Sequence, residues 1–381
     1  MEELSFAINL LWLRPGGVGG TESFVRSLLE GMMSIPPESD EGRFSAGLAV
    51  ARNTAESFRT YAERDERFRL VVMPVNNEGI GKRILWQNLH LNRALRDAGY
   101  RFCFSPVYDR PLLNGGLRYV SVIHDLQAKH YPEYHPYHEV VYSKMIWRTV
   151  MRRSAAVAAI SEFVKNDLEE TYPGMRKDGI RVIHNAVLMD PSETVPFSGL
   201  GEKYRIREGE FYFTISQLIP HKNIETLLRV FARLKDSPVP GVPCRLLVAG
   251  ISGGASGSIR KMISDLGLEE IVTLTGYISN AERNRLYMSA RAFLFPSVFE
   301  GFGIPPVEAM MAGSPVITTR LSCIPEITQD KAQYVDDPYD PEQWIREMRN
   351  LKNRSAELDT RDYGAETAAR KYLELLRKNF S

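Results

Sequence analysis

Cysteine is scarce in this chain: three in 381 residues, Cys103, Cys244 and Cys323, far apart and with no CxxC pair. That excludes a disulfide framework and a zinc ribbon, and it fits a reducing compartment. An excess charge of one sign is also missing, since 48 Lys and Arg face 47 Asp and Glu. The two halves of the chain are balanced in the same way. A general nucleic-acid binder carries a basic excess, so nucleic acid is not an expected partner. No run approaches the ~20 apolar residues needed to cross a bilayer. The apolar stretch from Phe6 to Leu13 stops at Arg14-Pro15-Gly16, and Met1-Glu2-Glu3 is acidic where a secretory leader is basic. The expectation is a cytoplasmic protein, at most peripheral on the inner face of the cell membrane.

What the sequence does have is alternation. Short apolar runs suited to strands lie at 5–13, 44–50, 69–74, 102–105, 119–123, 156–160 and 180–183. A second set lies at 211–216, 244–250, 271–275, 291–296, 315–319 and 333–335. Helical faces come between them, such as Phe24, Val25, Leu28, Leu29 and Met32. Continuous apolar strands alternating with helices predict parallel sheets covered on both sides. The fold class is therefore α/β, with two doubly wound Rossmann-like domains facing across a cleft. The pattern pauses from Asn185 to Glu208, where Pro191, Pro196, Gly199 and Gly201 cluster, and this places the domains at 1–195 and 200–362. A final amphipathic helix over 363–381 has no strand after it and is free to pack back on the first domain.

Open parallel sheets bind ligands beyond the carboxyl ends of their strands, so the residues just after each strand are the candidates. The most specific run is Phe295-Pro-Ser-Val-Phe-Glu-Gly-Phe-Gly-Ile-Pro-Pro-Val-Glu308. A strand gives way to a glycine-bearing loop, and Pro305 and Pro306 open a helix. Backbone amides around Phe302, Gly303 and Ile304 then offer an anion site at a helix start. Glu300 and Glu308 are carboxylates able to accept from sugar hydroxyls. A second run, Thr214-Ile-Ser-Gln-Leu-Ile-Pro-His-Lys-Asn223, puts Lys222 beside another helix start, as a point charge for a diphosphate, with Asn223 as N-cap. Gly16-Gly-Val-Gly-Gly-Thr-Glu22 follows the first strand without dinucleotide-fingerprint spacing, and its glycines let backbone approach a ligand or simply turn the chain. Val122-Ile-His124-Asp125 ends a further strand. Ser161 is placed to cap a helix. Tyr277, after Gly276, suits either a base contact or core packing.

The run around Glu300 and Glu308, continued by Ala309-Met-Met-Ala-Gly-Ser-Pro-Val-Ile317 and Ile324-Pro-Glu326, resembles the family 4 glycosyltransferases, retaining enzymes of the GT-B fold. The resemblance extends more weakly over nearly the whole chain. It implies that Glu300 and the amides of Phe302, Gly303 and Ile304 hold the donor sugar, and that Glu308 binds the nucleotide ribose. Lys222 would grip the diphosphate, with Ser216, Gln217 and His221 alongside. Gln217 and His221 stand where many members carry an arginine, which leaves one fixed cation fewer. Gly19 and Gly20 would face the donor phosphate or the acceptor, and Gly276 and Tyr277 would border the base. His124 would lie near the transferred sugar, so His124, Glu300 and Lys222 are the candidate catalytic residues.

The stretches I-H-D-L and E-G-F-G-I-P-P-V-E look most like mannosyl- or rhamnosyltransferases of bacterial surface polysaccharides. The expected reaction moves a hexosyl unit, mannose from GDP-mannose first and a UDP-sugar second, to a carbohydrate or lipid-linked acceptor. With no Asp-x-Asp motif, neither a metal nor another cofactor is expected. Two other classes fit less of the pattern: a nucleotide-sugar epimerase, and a non-catalytic sugar-nucleotide-binding partner. Lys144, Arg148 and Arg152 recur every four residues, and Lys82, Arg83, Arg93, Arg96 and Arg101 form a second basic group. Either is compatible with a peripheral membrane contact or with a solvated helix face. His130, His135 and His138 lie in an aromatic, proline-rich stretch read as an acceptor-side loop.

Overall fold

The computed structural model describes residues 3–16, 19–113, 115–176, 178–250, 253–352 and 357–380. The chain divides into two compact units, one of residues up to Ala186 together with those from Thr360, the other Val187–Asp359. Each is built on a parallel sheet, the doubly wound Rossmann-like arrangement that the alternation of strands and helices predicts.

The first unit holds β1 (Leu4–Asn9), β2 (Phe44–Ala51), β3 (Phe68–Met73), β4 (Phe102–Ser105), β5 (Arg118–Ile123), β6 (Ala156–Ala159) and β7 (Arg181–Val182). Their spatial order is β3-β2-β1-β4-β5-β6-β7. The second holds β8 (Tyr212–Ile215), β9 (Leu246–Ala249), β10 (Val272–Gly276), β11 (Ala292–Phe295), β12 (Val316–Thr319) and β13 (Gln333–Val335), ordered β10-β9-β8-β11-β12-β13. All of these pairings are parallel. Strands such as Leu246-Leu-Val-Ala249 and Ala292-Phe-Leu-Phe295 are buried throughout, because helices cover both faces. The helix Ile224–Asp236 lays Leu227, Leu228, Phe231 and Leu234 on the second sheet.

Each of the thirteen apolar runs contains a strand, but some strands are shorter. The run at 5–13 yields a strand only to Asn9. There the side-chain Oδ1 accepts the Leu11 N–H and Leu13 N–H donates back to the Leu10 carbonyl, so the backbone turns. The division between units falls at Ala186–Val187, within the pause from Asn185 to Glu208 but ahead of the bounds at 195 and 200. Asn284 Nδ2 donates to the carbonyls of Asp190 (2.9 Å) and Glu193 (3.0 Å), and Arg285 Nε to that of Val195 (2.9 Å). Residues 190–195 are thus fastened to the second unit.

The C-terminal helix Ala365–Phe380 packs on the helix Gly20–Ser34 of the first unit, burying Ala368, Ala369, Tyr372, Leu373 and Leu376. The approach is close enough that a Cβ on Gly31 would stand 2.1 Å from the Ala365 carbonyl oxygen. Tyr372 lies edge-on to Phe24, with centroids 5.8 Å apart, and near Phe104 at 5.4 Å. Its buried hydroxyl finds no hydrogen-bond partner. Tyr372→Phe keeps the ring and removes a desolvated polar group, so it should hold or raise stability by about 1 kcal/mol. Tyr372→Ala should cost about 3–5 kcal/mol. Denaturant unfolding of both variants checks the pair, and a destabilised Phe variant would refute the account.

Candidate functional site

In the second sheet the strand order reverses between β8 and β11, so the chain leaves these neighbours in opposite directions and opens a crevice at their carboxyl ends. After β8 the chain passes Ser216 and the exposed Gln217 to a 3₁₀ turn, Pro220–Lys222. Asn223 then takes a left-handed conformation (φ 54°) before the helix Ile224–Asp236. The expected N-cap side-chain bond is not made. Asn223 Nδ2 instead donates to the carbonyls of Pro296 (3.3 Å) and Pro338 (3.0 Å), tying this turn to the end of β11. The Val298 N–H donates to the His221 carbonyl at 2.9 Å, a second tie.

These ties bring Lys222 and Glu300 together, Nζ to Oε1 at 2.5 Å, both side chains mostly buried. His221 is buried and Gln217 exposed, so the two residues at the usual arginine places do not share one environment. Beyond Glu300, Gly303 adopts φ 78° ahead of the helix Ile304–Met311. A Cβ there would meet Ile324 Cδ1 at 3.1 Å in a conformation L-residues avoid, so only glycine fits. Pro305 and Pro306 carry no N–H. The anion-binding capacity of this helix start therefore narrows to the amides of Gly303 and Ile304.

Glu308 does not join Lys222. It is buried, 3.1 Å from Arg283 Nη1 at one oxygen and accepting from Tyr287 Oη at 3.1 Å on the other. Burial pushes its carboxyl pKa up, against the opposing pull of Arg283 and Tyr287. Each oxygen keeps one further lone pair for a ligand hydroxyl. Arg283 and Tyr287, on the helix Asn280–Ser289, carried no motif signal. Gly276 closes β10 at φ 73°, and Tyr277 beyond it is 81% exposed, which removes the core-packing alternative. Ser216, Tyr277, Lys222 and Glu300 thus all follow the carboxyl ends of strands in one sheet, and Gly276 is itself such an end.

The first unit gathers a separate group. Gly19 (φ 58°) precedes the helix that begins at Gly20, and space is open at both glycines. Gly17 and Val18 lie outside the described residues. Glu22 accepts from the Gly16 N–H at 2.7 Å and pairs with Arg26, closing the glycine loop. Phe24 of the same helix stands edge-on to the His124 ring at 4.9 Å, so the start of this helix and the histidine share one neighbourhood. His124 follows β5 and is buried, with Nε2 2.8 Å from the Pro106 carbonyl oxygen. A carbonyl only accepts, so Nε2 carries the proton and Nδ1 the lone pair. Burial pulls its pKa down to about 4, leaving the ring neutral at pH 7. Asp125 accepts from the Gln127 N–H at 3.0 Å. Ser161 caps its helix as expected, accepting from the Val164 N–H. His130 and His135 pair with different acids, Asp167 and Glu139. Arg83 is buried in an ion pair with Asp109, which removes it from the second basic group.

Residues 201–370 match the family described as glycosyl transferases group 1, and residues 48–190 match glycosyltransferase family 4. The chain is similar to the O-antigen chain mannosyltransferase RfbU of Salmonella typhimurium, 29% identical over 231 residues, 60% of each protein. It is also similar to O-antigen chain mannosyltransferase B of Escherichia coli, 27% identical over 227 residues, 58% of each. The chain spans less than two thirds of the length of either relative. Its fold resembles the crystal structure of Anabaena Alr3699/HepE in complex with UDP and glucose. The TM-score is 0.64 at 18% identity, covering 100% of this chain and 96% of that one.

The lowered His124 pKa makes protonation oppose folding. Its stabilising contribution is complete above the unfolded value of about 6.5 and is lost as pH falls toward about 4. Between pH 7 and pH 5 wild-type protein should lose about 2 kcal/mol more than His124→Gln. Denaturant titrations at both pH values measure the difference, and equal losses would contradict a buried neutral ring.

Proposed function

Because the chain belongs to the family 4 glycosyltransferases, we propose that it moves a hexosyl unit from a nucleotide sugar to a carbohydrate or lipid-linked acceptor. Mannose from GDP-mannose is the donor this reading favours, with retention of anomeric configuration, in the assembly of a bacterial surface polysaccharide. The mannosyltransferase relatives support that choice. The observation that carries the reading is the meeting of Lys222 and Glu300 at the strand-order reversal of the second sheet. Nζ uses one of its three protons on Glu300 and keeps two for a diphosphate. The Gly303 and Ile304 amides add donors at a helix start, so charge developing on the leaving group meets fixed dipoles and one cation. Glu300 is placed to orient sugar hydroxyls and Glu308 to accept from a ribose.

Retention without a named protein nucleophile corresponds to front-face substitution, in which the leaving phosphate accepts the acceptor's proton. No metal is required in this reading, because Lys222 and the amides carry the countercharge. His124, held neutral with its N–H on Pro106, offers Nδ1 as an acceptor for a sugar hydroxyl. Thermal unfolding with GDP-, UDP-, dTDP- and ADP-sugars tests the donor. GDP-mannose at a hundred times its Kd should stabilise by about 2.7 kcal/mol. Lys222→Ala should lose at least a hundredfold in kcat/KM, about 2.7 kcal/mol of transition-state stabilisation. A panel without any response, or full turnover in Lys222→Ala, would end the reading.

The same reading includes a peripheral membrane contact through the helix Tyr137–Arg153 of the first unit. No helix among the described residues is long and apolar enough to cross a membrane. At 100° per residue, one exposed arc of this helix gathers Tyr137 (84% exposed), Val141 and Met145 with Lys144, Arg148 and Arg152. The buried arc carries Val140, Ile146, Trp147, Val150 and Met151. The only acid on the helix, Glu139, lies outside the exposed arc. Apolar side chains interleaved with cations suit an anionic lipid surface. Vesicles containing phosphatidylglycerol should sediment the protein, and Lys144→Glu with Arg148→Glu should abolish this, whereas wild-type protein left in the supernatant would overturn it.

A further inference from the structure

The loop that offers Gly303 and Ile304 is fastened from behind by two residues whose types carried no motif. β12 ends at Thr319, and after Arg320 and Leu321 the chain reaches Ser322, at φ 52°, and Cys323, ahead of the short helix Ile324–Ile327. Ser322 Oγ accepts the Glu300 N–H at 3.0 Å and donates to the Leu321 carbonyl at 2.8 Å. Cys323 is fully buried. Its Sγ lies 3.2 Å from the Glu300 carbonyl oxygen and 3.1 Å from that of Phe302. One thiol proton is therefore shared between two carbonyls of the loop, two residues apart.

A trans peptide unit points its C=O and the following N–H in opposite directions. Holding the Glu300 and Phe302 carbonyls on Cys323 therefore turns the N–H groups of Gly301 and Gly303 away from it. Gly303 and Ile304 are the successive amides at the helix start, so fixing the Gly303 N–H shapes the anion-binding concavity there. Carbonyl oxygens exposed there would repel a phosphate, and the latch keeps them on the thiol. Burial, then the nearby charges of Glu300 and Glu326, push the thiol pKa well up, so Cys323 stays a protonated donor.

We infer that Ser322 and Cys323 are positioning residues: they hold the loop so that the Gly303 amide, beside that of Ile304, is set for the grip on the diphosphate of the donor. The inference rests on the donor-site reading of that loop. It makes the loss specific to the phosphates and leaves the nucleoside untouched.

Calorimetric titration of GDP, UDP, guanosine and uridine tests it on wild type, Cys323→Ala, Cys323→Ser and Ser322→Gly. Glycine keeps the positive φ while removing the hydroxyl. Cys323→Ala and Ser322→Gly should each weaken the preferred nucleoside diphosphate about tenfold with its nucleoside unchanged, and Cys323→Ser should restore most of the loss. Unchanged diphosphate affinity in Cys323→Ala, or parallel loss of diphosphate and nucleoside, would overturn the positioning role. Wild-type protein that binds no nucleotide would sink the donor reading instead. Amide exchange at Gly303 then decides the latch alone: faster exchange in Cys323→Ala supports it, and equal exchange refutes it.

Discussion

A lysine removed from most of its water needs a counterion, and the arrangement of the second unit follows from how Lys222 obtains one. Its partner Glu300 comes from a neighbouring strand 78 residues later in the chain. A mostly buried pair costs desolvation on both sides, so it adds little to stability by itself. What it supplies is a defined resting state. A diphosphate brings charge that competes for the same ammonium, and in the proposed function the carboxylate is then released toward the sugar. The turn at Asn223 and the His221 carbonyl hold these two loops at the distance that makes the exchange workable.

Two carboxylates with seven residues between them invite treatment as a pair, and the structure separates them. Glu300 sits in the loop opposite a lysine. Glu308 lies on the buried side of the Ile304 helix, where an arginine and a tyrosine from a different helix take its oxygens. The difference is one of partners, since both side chains are mostly buried. Burial raises the Glu308 pKa while Arg283 and Tyr287 act against it, so this carboxylate is held by its neighbours before any ligand arrives. Its proposed ribose contact would be added to a formed network, whereas Glu300 has to change partners.

The strands were legible because each is a short, continuous apolar run between polar helical patterns, and burial on both faces allows little else. Strand ends were less so. At Asn9 a single side-chain bond to Leu11 decides where the strand stops, and apolarity alone would carry it to Leu13. The unit boundary lies early in the Asn185–Glu208 pause for a related reason: residues 190–195 look like a linker by composition, but Asn284 and Arg285 fasten them about 90 residues away in sequence. In the site, glycines and prolines announced the loop after β11 because backbone conformation demands those residue types. Arg283, Tyr287 and Cys323 are ordinary residues whose roles arise from long-range approach, and no local pattern marks such an approach.

The two units also differ in how they hold their candidate polar groups. In the second unit the groups are charged and compensated, which suits a leaving diphosphate. In the first, His124 is uncharged, its one proton committed to a backbone carbonyl and its ring against Phe24. In the proposed function this histidine lies beside the transferred sugar, whose anomeric carbon gains positive charge as the bond to phosphate breaks. An imidazolium there would oppose that charge, while a neutral ring presenting Nδ1 would not. Burial that lowers the pKa to about 4 therefore suits the proposed mechanism and costs stability in acid.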